Sequence, residues 1–416
     1  MKKYIALLIL VIIVVFPKAS HAEEMVQVKL VNYVGESKEL ELKLTGKYVT
    51  LDPTLTLEEG VSYKVTIKDE SLILKSSEDT YQINDTLILI PEMYDEQHRV
   101  EIDERPYLGA MEITIEDKKF IRPINQLPLE DYLKGVVPFE VYPDWGLETL
   151  KAQALAARTY AVSHLNKEMD DTISFQVYGG YTWMDQTTKA VNQTKGEVIT
   201  HNRTLIDAFY SASNGGITEN NAHVWGGKSM PYFPIKEDSY DPTHPWEFTL
   251  NHTQIELDDI DWEDPDWWKN TKEKDEKITT SMKKWLKKNG YPGEIKILTI
   301  NDFKLSPKKY ASERSIDGSI TIEFLQKLFD GTILFQVLKR EDVNLNQIRP
   351  IIGGDIFKSY LIESLAEEEE VYKMEGKGYG HGVGMSQWGA FNMGEKGKTY
   401  REIIEYYYPD TTISTY

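Results

Sequence analysis

The sequence has 416 residues, 41% hydrophobic and 27% charged, and contains no Cys. This length fits two or three domains, or one large domain with an insertion, and the missing Cys excludes a disulfide framework, a thiolate zinc site, an iron–sulfur centre and a cysteine nucleophile. Lys+Arg 47 against Asp+Glu 67 leaves a net charge of −20, so no nucleic acid is expected as a partner.

The first 22 residues read as an export signal. Lys2 and Lys3 precede an uninterrupted apolar run over residues 5–16, and Ser20-His21-Ala22 offers small residues where a signal peptidase reads. As a helix this run rises only ~18 Å, short of the ~30 Å hydrocarbon core, so a cleaved signal is favoured over a membrane anchor and the mature chain is expected outside the cytoplasmic membrane.

From about 26 to 122 the pattern has period two. Val26, Val28 and Leu30 alternate with Gln27 and Lys29; Leu40, Leu42 and Leu44 alternate with Glu41 and Lys43; Val61, Tyr63, Val65 and Ile67 follow the same rule. Half-buried antiparallel strands are expected here, forming a β-rich N-terminal region over 23–122. At Leu127 the period changes. Leu129, Tyr132, Leu133, Val136 and Val137 predict a short amphipathic helix stopped by Pro138, and an alanine-rich helix is expected over 147–169. Strand-like stretches follow at 173–178, 196–200 and 204–211, the last running into a Ser213-Asn214-Gly215-Gly216 turn.

Residues 247–345 read as an inserted subdomain between two parts of a mixed core, 123–246 and 346–416. Trp262, Trp267, Trp268 and Trp285 sit there among an acidic run (Asp259, Asp261, Glu263, Asp264, Asp266) and a basic one (Lys283, Lys284, Lys287, Lys288). The acidic run lacks the spacing of a calcium loop, so a solvated face beside a small helical core is expected. The fold class is α+β: a β-rich N-terminal region plus a mixed α/β core carrying an insertion.

Three islands could carry chemistry. In Gly135-Val136-Val137-Pro138-Phe139-Glu140-Val141-Tyr142-Pro143 the carboxylate of Glu140 lies among apolar and aromatic residues. Such surroundings raise a carboxyl pKa, as a general acid requires; the alternative is a Glu on an exposed loop. In the alanine-rich helix, Leu150, Ala154, Ala157 and Ala161 form a small-residue stripe that lets another element approach. Lys151 and Arg158, seven apart, lie on nearly one line of that helix, either facing a carboxylate or anion or facing solvent. The third island places Gly at every second position from 376 to 384. As a strand, it would have one bare face and would present Tyr379, His381 and Val383 on the other. No register fits G-x-G-x-x-G, and neither G-x-x-x-x-G-K-[ST], H-E-x-x-H nor G-x-S-x-G occurs, so nucleotide, metal and serine-hydrolase readings fail. Ser211 and Ser213 sit beside a turn signal rather than in a nucleophile elbow.

Taken together, Leu129-Glu130-Asp131-Tyr132-Leu133-Lys134-Gly135-Val136-Val137, Glu140, Leu150-Lys151-Ala152-Gln153-Ala154 with Ala157-Arg158-Thr159-Tyr160, and Gly380-His381-Gly382-Val383-Gly384-Met385-Ser386-Gln387 resemble the SpoIID/LytB family. Phe175-Gln176-Val177-Tyr178-Gly179-Gly180 and the Ser213 turn resemble family segments too. The resemblance implies action on bacterial peptidoglycan. One branch contains lytic transglycosylases that cut glycan strands stripped of stem peptides; the other is described as enhancers of an N-acetylmuramoyl-L-alanine amidase, a non-catalytic alternative in which this chain binds glycan and meets an amidase. Glu140 matches the catalytic glutamate of the enzyme branch, although Phe139 and Val141-Tyr142 replace the small residue and the Met-Pro of that motif. No cofactor and no metal are expected. The resemblance places Arg158 and Lys151 where they would orient Glu140, and Tyr379, His381, Ser386, Gln387 and Ser213 along a glycan groove with Trp388 as a stacking platform. Ser386 could equally cap the helix that follows it, and Trp388 and Tyr379 could equally pack in the core.

Overall fold

The period-two segments are strands, and their apolar residues face one core. Met25–Lys29, Glu39–Thr45 and Ser62–Lys68 bury Val26, Val28, Leu40, Leu42, Leu44, Tyr63 and Val65 while the residues between them face out. The computed structural model describes residues 24–416 except Pro53, Asp85 and Asn166, and the expected export signal lies outside the described residues. Two six-stranded sheets result. One orders Met169–Asp170, Met25–Lys29, Phe120–Pro128, Ala110–Glu116, Leu87–Pro91 and Tyr48–Thr50; the other runs from Thr80–Ile83 through Glu39–Thr45 to Arg105–Leu108. Their inner faces share a single hydrophobic cluster with the first two helices.

The helices are α1 (Leu129–Glu140), α2 (Leu147–His164), α3 (Asp185–Gln193), α4 (Asn221–Trp225), α5 (Trp267–Asn270), α6 (Glu276–Lys288), α7 (Arg349–Ile352), α8 (Gln387–Glu395) and α9 (Tyr400–Tyr407). Twelve of the eighteen residues of α2 are buried. Its stripe of Leu150, Ala154, Ala157 and Ala161 packs in the cluster shared with α1, and its opposite side, Ala152, Leu155 and Ala156, packs with Ile403, Ile404 and Tyr407 of α9. A helix covered on every side needs small residues where neighbours come close, which accounts for its alanines. Among the described residues no helix is long and apolar enough to cross a membrane.

Several boundaries differ from those expected. Pro138 does not stop α1. It removes the N–H that would bond the Lys134 carbonyl, but the last turn closes through Val141 N–H on the Val137 carbonyl at 3.2 Å, carrying Glu140 into the helix. Helix α2 ends at His164 rather than 169, because Met169 is taken as a buried strand residue paired in parallel with Val28. Residues 173–178 are irregular rather than a strand, and 204–211 holds two short strands, Thr204–Leu205 and Tyr210–Ser211. The insertion is not mainly helical. Its centre is a three-stranded antiparallel sheet, Glu294–Leu305, Asp317–Lys327 and Ile333–Asn344, packed on α6. That cluster does not stop at 345, since Ile351, Ile352, Phe357, Tyr372 and Met374 belong to it.

The glycine run is the largest correction. The strand Val371–Lys377 takes in only the first glycine of the run, Gly376, and Gly378, Gly380, Gly382 and Gly384 all have positive φ, at 79°, 110°, 75° and 73°. The alternation therefore serves a left-handed zigzag that side-chain-bearing residues resist, not the bare face of a strand. Close approach adds a second constraint. A Cβ on Gly384 would lie 2.1 Å from the Phe209 carbonyl oxygen, and one on Gly380 2.6 Å from the Ser211 Cβ. Gly380→Ala and Gly384→Ala are each expected to cost about 1–3 kcal/mol of stability, read as an earlier unfolding midpoint in urea. Midpoints equal to wild type would mean that the run tolerates a Cβ and is a loose loop.

Candidate functional site

Glu140 occupies the last turn of α1, and two neighbouring segments fix its carboxyl. The Val177 N–H donates to its Oε1 at 2.8 Å, and the Gln387 side chain, at the first position of α8, hydrogen-bonds it as well. Val177 is aimed by its neighbour. The buried Gln176 amide donates to the Ala157 carbonyl (3.2 Å) and the Tyr210 hydroxyl (2.9 Å), and its oxygen accepts from the Tyr132 hydroxyl (3.2 Å). Gly179 and Gly135 let this irregular segment lie against α1: the Gly179 N–H donates to the Gly135 carbonyl at 2.9 Å, and a Cβ on Gly179 would strike the Phe139 ring.

Burial pushes the Glu140 carboxyl up from its ordinary 4.5 to about 7, against the opposing effect of the bonds from Val177 and Gln387. The side chain is only half-buried, so it remains within reach of a ligand. Among the described residues no second carboxylate contributes to this shift. A carboxyl in such a setting can donate a proton near neutral pH and take one back afterwards.

An aromatic wall flanks it. Trp388, next to Gln387, has ring centroids 5.1 Å from Trp145, 5.6 Å from Phe391, 6.0 Å from Tyr142 and 5.3 Å from His244. Tyr142 is 60% exposed, two residues after Glu140, so an apolar ring face is presented at the edge of the site. In the sequence Tyr142 stands out only as an aromatic flank of Glu140 and Trp145 not at all, although its closeness to Glu140 along the chain was the available signal.

The other expected residues divide. His381 lies beside Phe209 and Trp225 (6.2 and 4.9 Å) rather than on Glu140. Its Nδ1 accepts the Val383 N–H at 3.0 Å, which leaves the ring proton of the neutral form on Nε2; burial pushes its pKa down to about 4. Tyr379 donates its hydroxyl to Asp355 at 2.7 Å, and the Lys358 ammonium lies 5.5 Å from its ring centre.

Ser213 and Ser386 do not line an open groove. Both are buried, and both hydroxyls donate to the Asp241 carboxylate, which also accepts the Asn214 N–H at 2.7 Å. Ser386 is in addition the N-cap of α8, accepting the Gly389 N–H at 3.0 Å. Asp241 was not singled out in the sequence, where nothing but its proximity to Pro242 marks it. Burial raises its pKa to about 6, so this hub is held in spite of its desolvation. By fixing Ser386, it fixes the start of α8 and hence Gln387.

Arg158 and Lys151 do not orient Glu140. Arg158 is fully buried and every N–H has a partner: Nε and Nη2 grip Glu130 at 2.8 Å each, Nη2 also donates to the Val191 carbonyl, and Nη1 donates to Thr194 and the Glu197 carbonyl. Five donors with five acceptors leave none for Glu140. Lys151 pairs with Glu148 at 2.7 Å, one turn back on α2, beside the Tyr400 ring.

Comparison with known proteins adds the lineage. The family described as stage II sporulation protein matches residues 117–201, the stretch holding α1, α2 and Val177. An amidase enhancer of Bacillus subtilis is 36% identical over 364 residues, covering 86% of this chain and 51% of the relative. An uncharacterized protein of Brachyspira hyodysenteriae is 30% identical over 70% of this chain and 68% of its own length. The stage II sporulation protein D of Bacillus subtilis is 27% identical over 70% of this chain and 76% of its own. The chain thus spans about half the length of the amidase enhancer.

The role of Arg158 can be tested directly. Glu130→Gln preserves shape but leaves the buried guanidinium without its counter-charge, so stability should fall by about 3–5 kcal/mol in urea unfolding. Unchanged stability with an altered chemical step would instead restore Arg158 as a partner of Glu140.

Proposed function

The chain belongs to the SpoIID/LytB family, and on that premise we propose that it is an exported peptidoglycan lytic transglycosylase in which Glu140 is the catalytic carboxyl. The observation that carries this reading is a half-buried carboxyl beside an aromatic wall, shifted to about 7 with no second carboxylate contributing to the shift among the described residues. Glycosidases that use water employ two carboxyl groups, one for the leaving oxygen and one for water or the sugar. A transglycosylase dispenses with the second, because the C6 hydroxyl of the muramic acid attacks its own anomeric carbon. Glu140 protonates the oxygen of the glycosidic bond as the C–O bond breaks. The resulting carboxylate then takes the proton of the C6 hydroxyl as the new C–O bond closes, leaving a 1,6-anhydro end. A pKa near the working pH suits a group that must act first as acid and then as base. Val177 N–H and Gln387 hold the carboxylate during the interval, and Trp388 and Tyr142 offer faces for stacking on sugar rings.

A second reading has one specific support, the amidase enhancer at 36% identity. In it the same groove binds glycan strands and presents them to a cell-wall amidase without cutting them. The two readings differ at Glu140 alone.

Glu140→Gln should lower release of fragments from peptide-stripped glycan by about 10²-fold or more. Wild-type cleavage should decline as pH rises through about 7, when the acid form is lost. Stability should report the same titration. The folded-state pKa lies above the ordinary 4.5, so this group's contribution is complete below that value and is lost as pH rises through about 7. Glu140→Gln should therefore melt higher than wild type at pH 8 and show little difference at pH 4. Undiminished cleavage by the variant would remove Glu140 from the chemistry.

A further inference from the structure

The sheet of the insertion has an unfinished edge. Its strands lie in the order Glu294–Leu305, Asp317–Lys327, Ile333–Asn344, and among the described residues the last pairs with Asp317–Lys327 alone. The far side of this twelve-residue strand, about 40 Å long, therefore carries a row of unpaired backbone N–H and C=O groups. Edges of that length are ordinarily shortened, covered or studded with charge, since they pair readily with another strand.

The side chains are as bare as the backbone. On one face of the sheet Leu325 packs against a cluster of Ile255, Ile260 and Leu298. Phe335 stands opposite Leu325 on that same face, but the cover stops short of it. Ile333, Phe335 and Val337, at alternate positions, are all exposed, Phe335 at 59%. On the other face Leu338 is buried in the cluster shared with α6, whereas Leu334 is exposed, and Phe329 in the preceding turn is 91% exposed. Contiguous apolar exposure of this kind marks a contact surface.

The occupant must be an extended strand, because only a strand matches unpaired N–H and C=O groups at this spacing. It must also be apolar at alternate positions and free of net charge. Ile333–Asn344 meets that description itself, since its charged residues, Lys339, Arg340, Glu341 and Asp342, cancel. A two-fold axis perpendicular to the sheet lets the strand pair antiparallel with its own copy, and opposed residues then share a face. Centring the pair on Arg340 would set Arg against Arg, and centring it on Leu338 would set Phe335 against Glu341. Centring it on Gln336 sets Phe335 against Val337 twice and Leu334 against Leu338 twice, and opposes no like charges over residues 333–339.

We propose that two copies of this chain associate through Ile333–Asn344, antiparallel about Gln336, so that one sheet runs through both insertions. The contact is small and each chain carries a net charge of −20. The dimer is therefore reversible, with a dissociation constant on the order of 10 µM, and it tightens as salt screens the repulsion. This inference is independent of what Glu140 does.

Sedimentation equilibrium of the full exported chain tests it. In about 0.5 M salt the average mass should rise from one copy towards two between roughly 1 and 100 µM. Phe335→Lys and Val337→Lys change exposed side chains, so each should weaken association about tenfold or more at an unchanged melting temperature. Val49→Lys, equally exposed on a strand of another sheet, should leave association as it was. If a lysine variant melts early, Val337→Thr, which keeps the branched Cβ, takes its place. The chain has no Cys, so Gln336→Cys supplies a single thiol that a short bismaleimide should join to that of a second copy. Exposed Ser77→Cys should not be joined. A chain that stays monomeric at the highest concentration would overturn the proposal, including one that instead sediments with zwitterionic lipid vesicles. A dimer indifferent to Phe335→Lys and Val337→Lys would place the contact elsewhere and overturn it as well. A dimer that needs both residues but leaves Gln336→Cys unjoined would overturn the strand pairing.

Discussion

The ion pair of Glu130 and Arg158 anchors everything around the candidate site. Both groups are buried, and the guanidinium is matched acceptor for acceptor by α1, the end of α3 and the strand that follows it. Removing two charges from water is costly, and it is repaid only by geometry of this quality. The pair fastens the start of α1 to the middle of α2, and α1 then delivers Glu140 at its other end, two residues past Pro138. Position in the site is thus set from the opposite end of a helix.

Two further devices complete the frame. The Asp241 carboxylate collects the hydroxyls of Ser213 and Ser386 with the Asn214 N–H, joining three chain segments at the root of α8. The positive-φ glycines let the chain run against Phe209, Ser211 and Arg314 with no side chain intervening. Arg314 comes from the insertion and donates to the Asn214 and Ile217 carbonyls, so the insertion is tied to the loops behind the site. Burial lowers its pKa to about 10 in that position. Around the site the half-buried residues Glu140 and Trp388 and the exposed Tyr142 stay accessible, whereas the supports Ser213, Asp241, Arg314 and Ser386 are buried.

Much of this was legible in the sequence, for identifiable reasons. The N-terminal strands followed from strict alternation because each has one wet face. The small-residue stripe of α2 and the solvent-poor surroundings of Glu140 were read from local composition, and both depend on nearest neighbours in the chain. What was not legible depends on partners far away in sequence. Arg158 looked like a candidate cation for Glu140 because its true partner, Glu130, is twenty-eight residues off on another helix. Ser213 and Ser386 looked like ligands to substrate because Asp241 gives no signal of its own. Glycine alternation suggested a strand, since period two is a strand signal, whereas here each second residue adopts a positive φ. The sheet of the insertion was hidden behind conspicuous Trp and charge runs that lie on its periphery.

A carboxyl working alone and a ring closure without water make one account, and the isotope content of the product tests it most directly. Peptide-stripped glycan strands digested by the full chain in ¹⁸O-labelled water should yield fragments one water lighter than hydrolytic products, with no label at the new muramic acid end. Label incorporated at that end would contradict the account, for it would require an activated water and a second catalytic carboxyl beside Glu140.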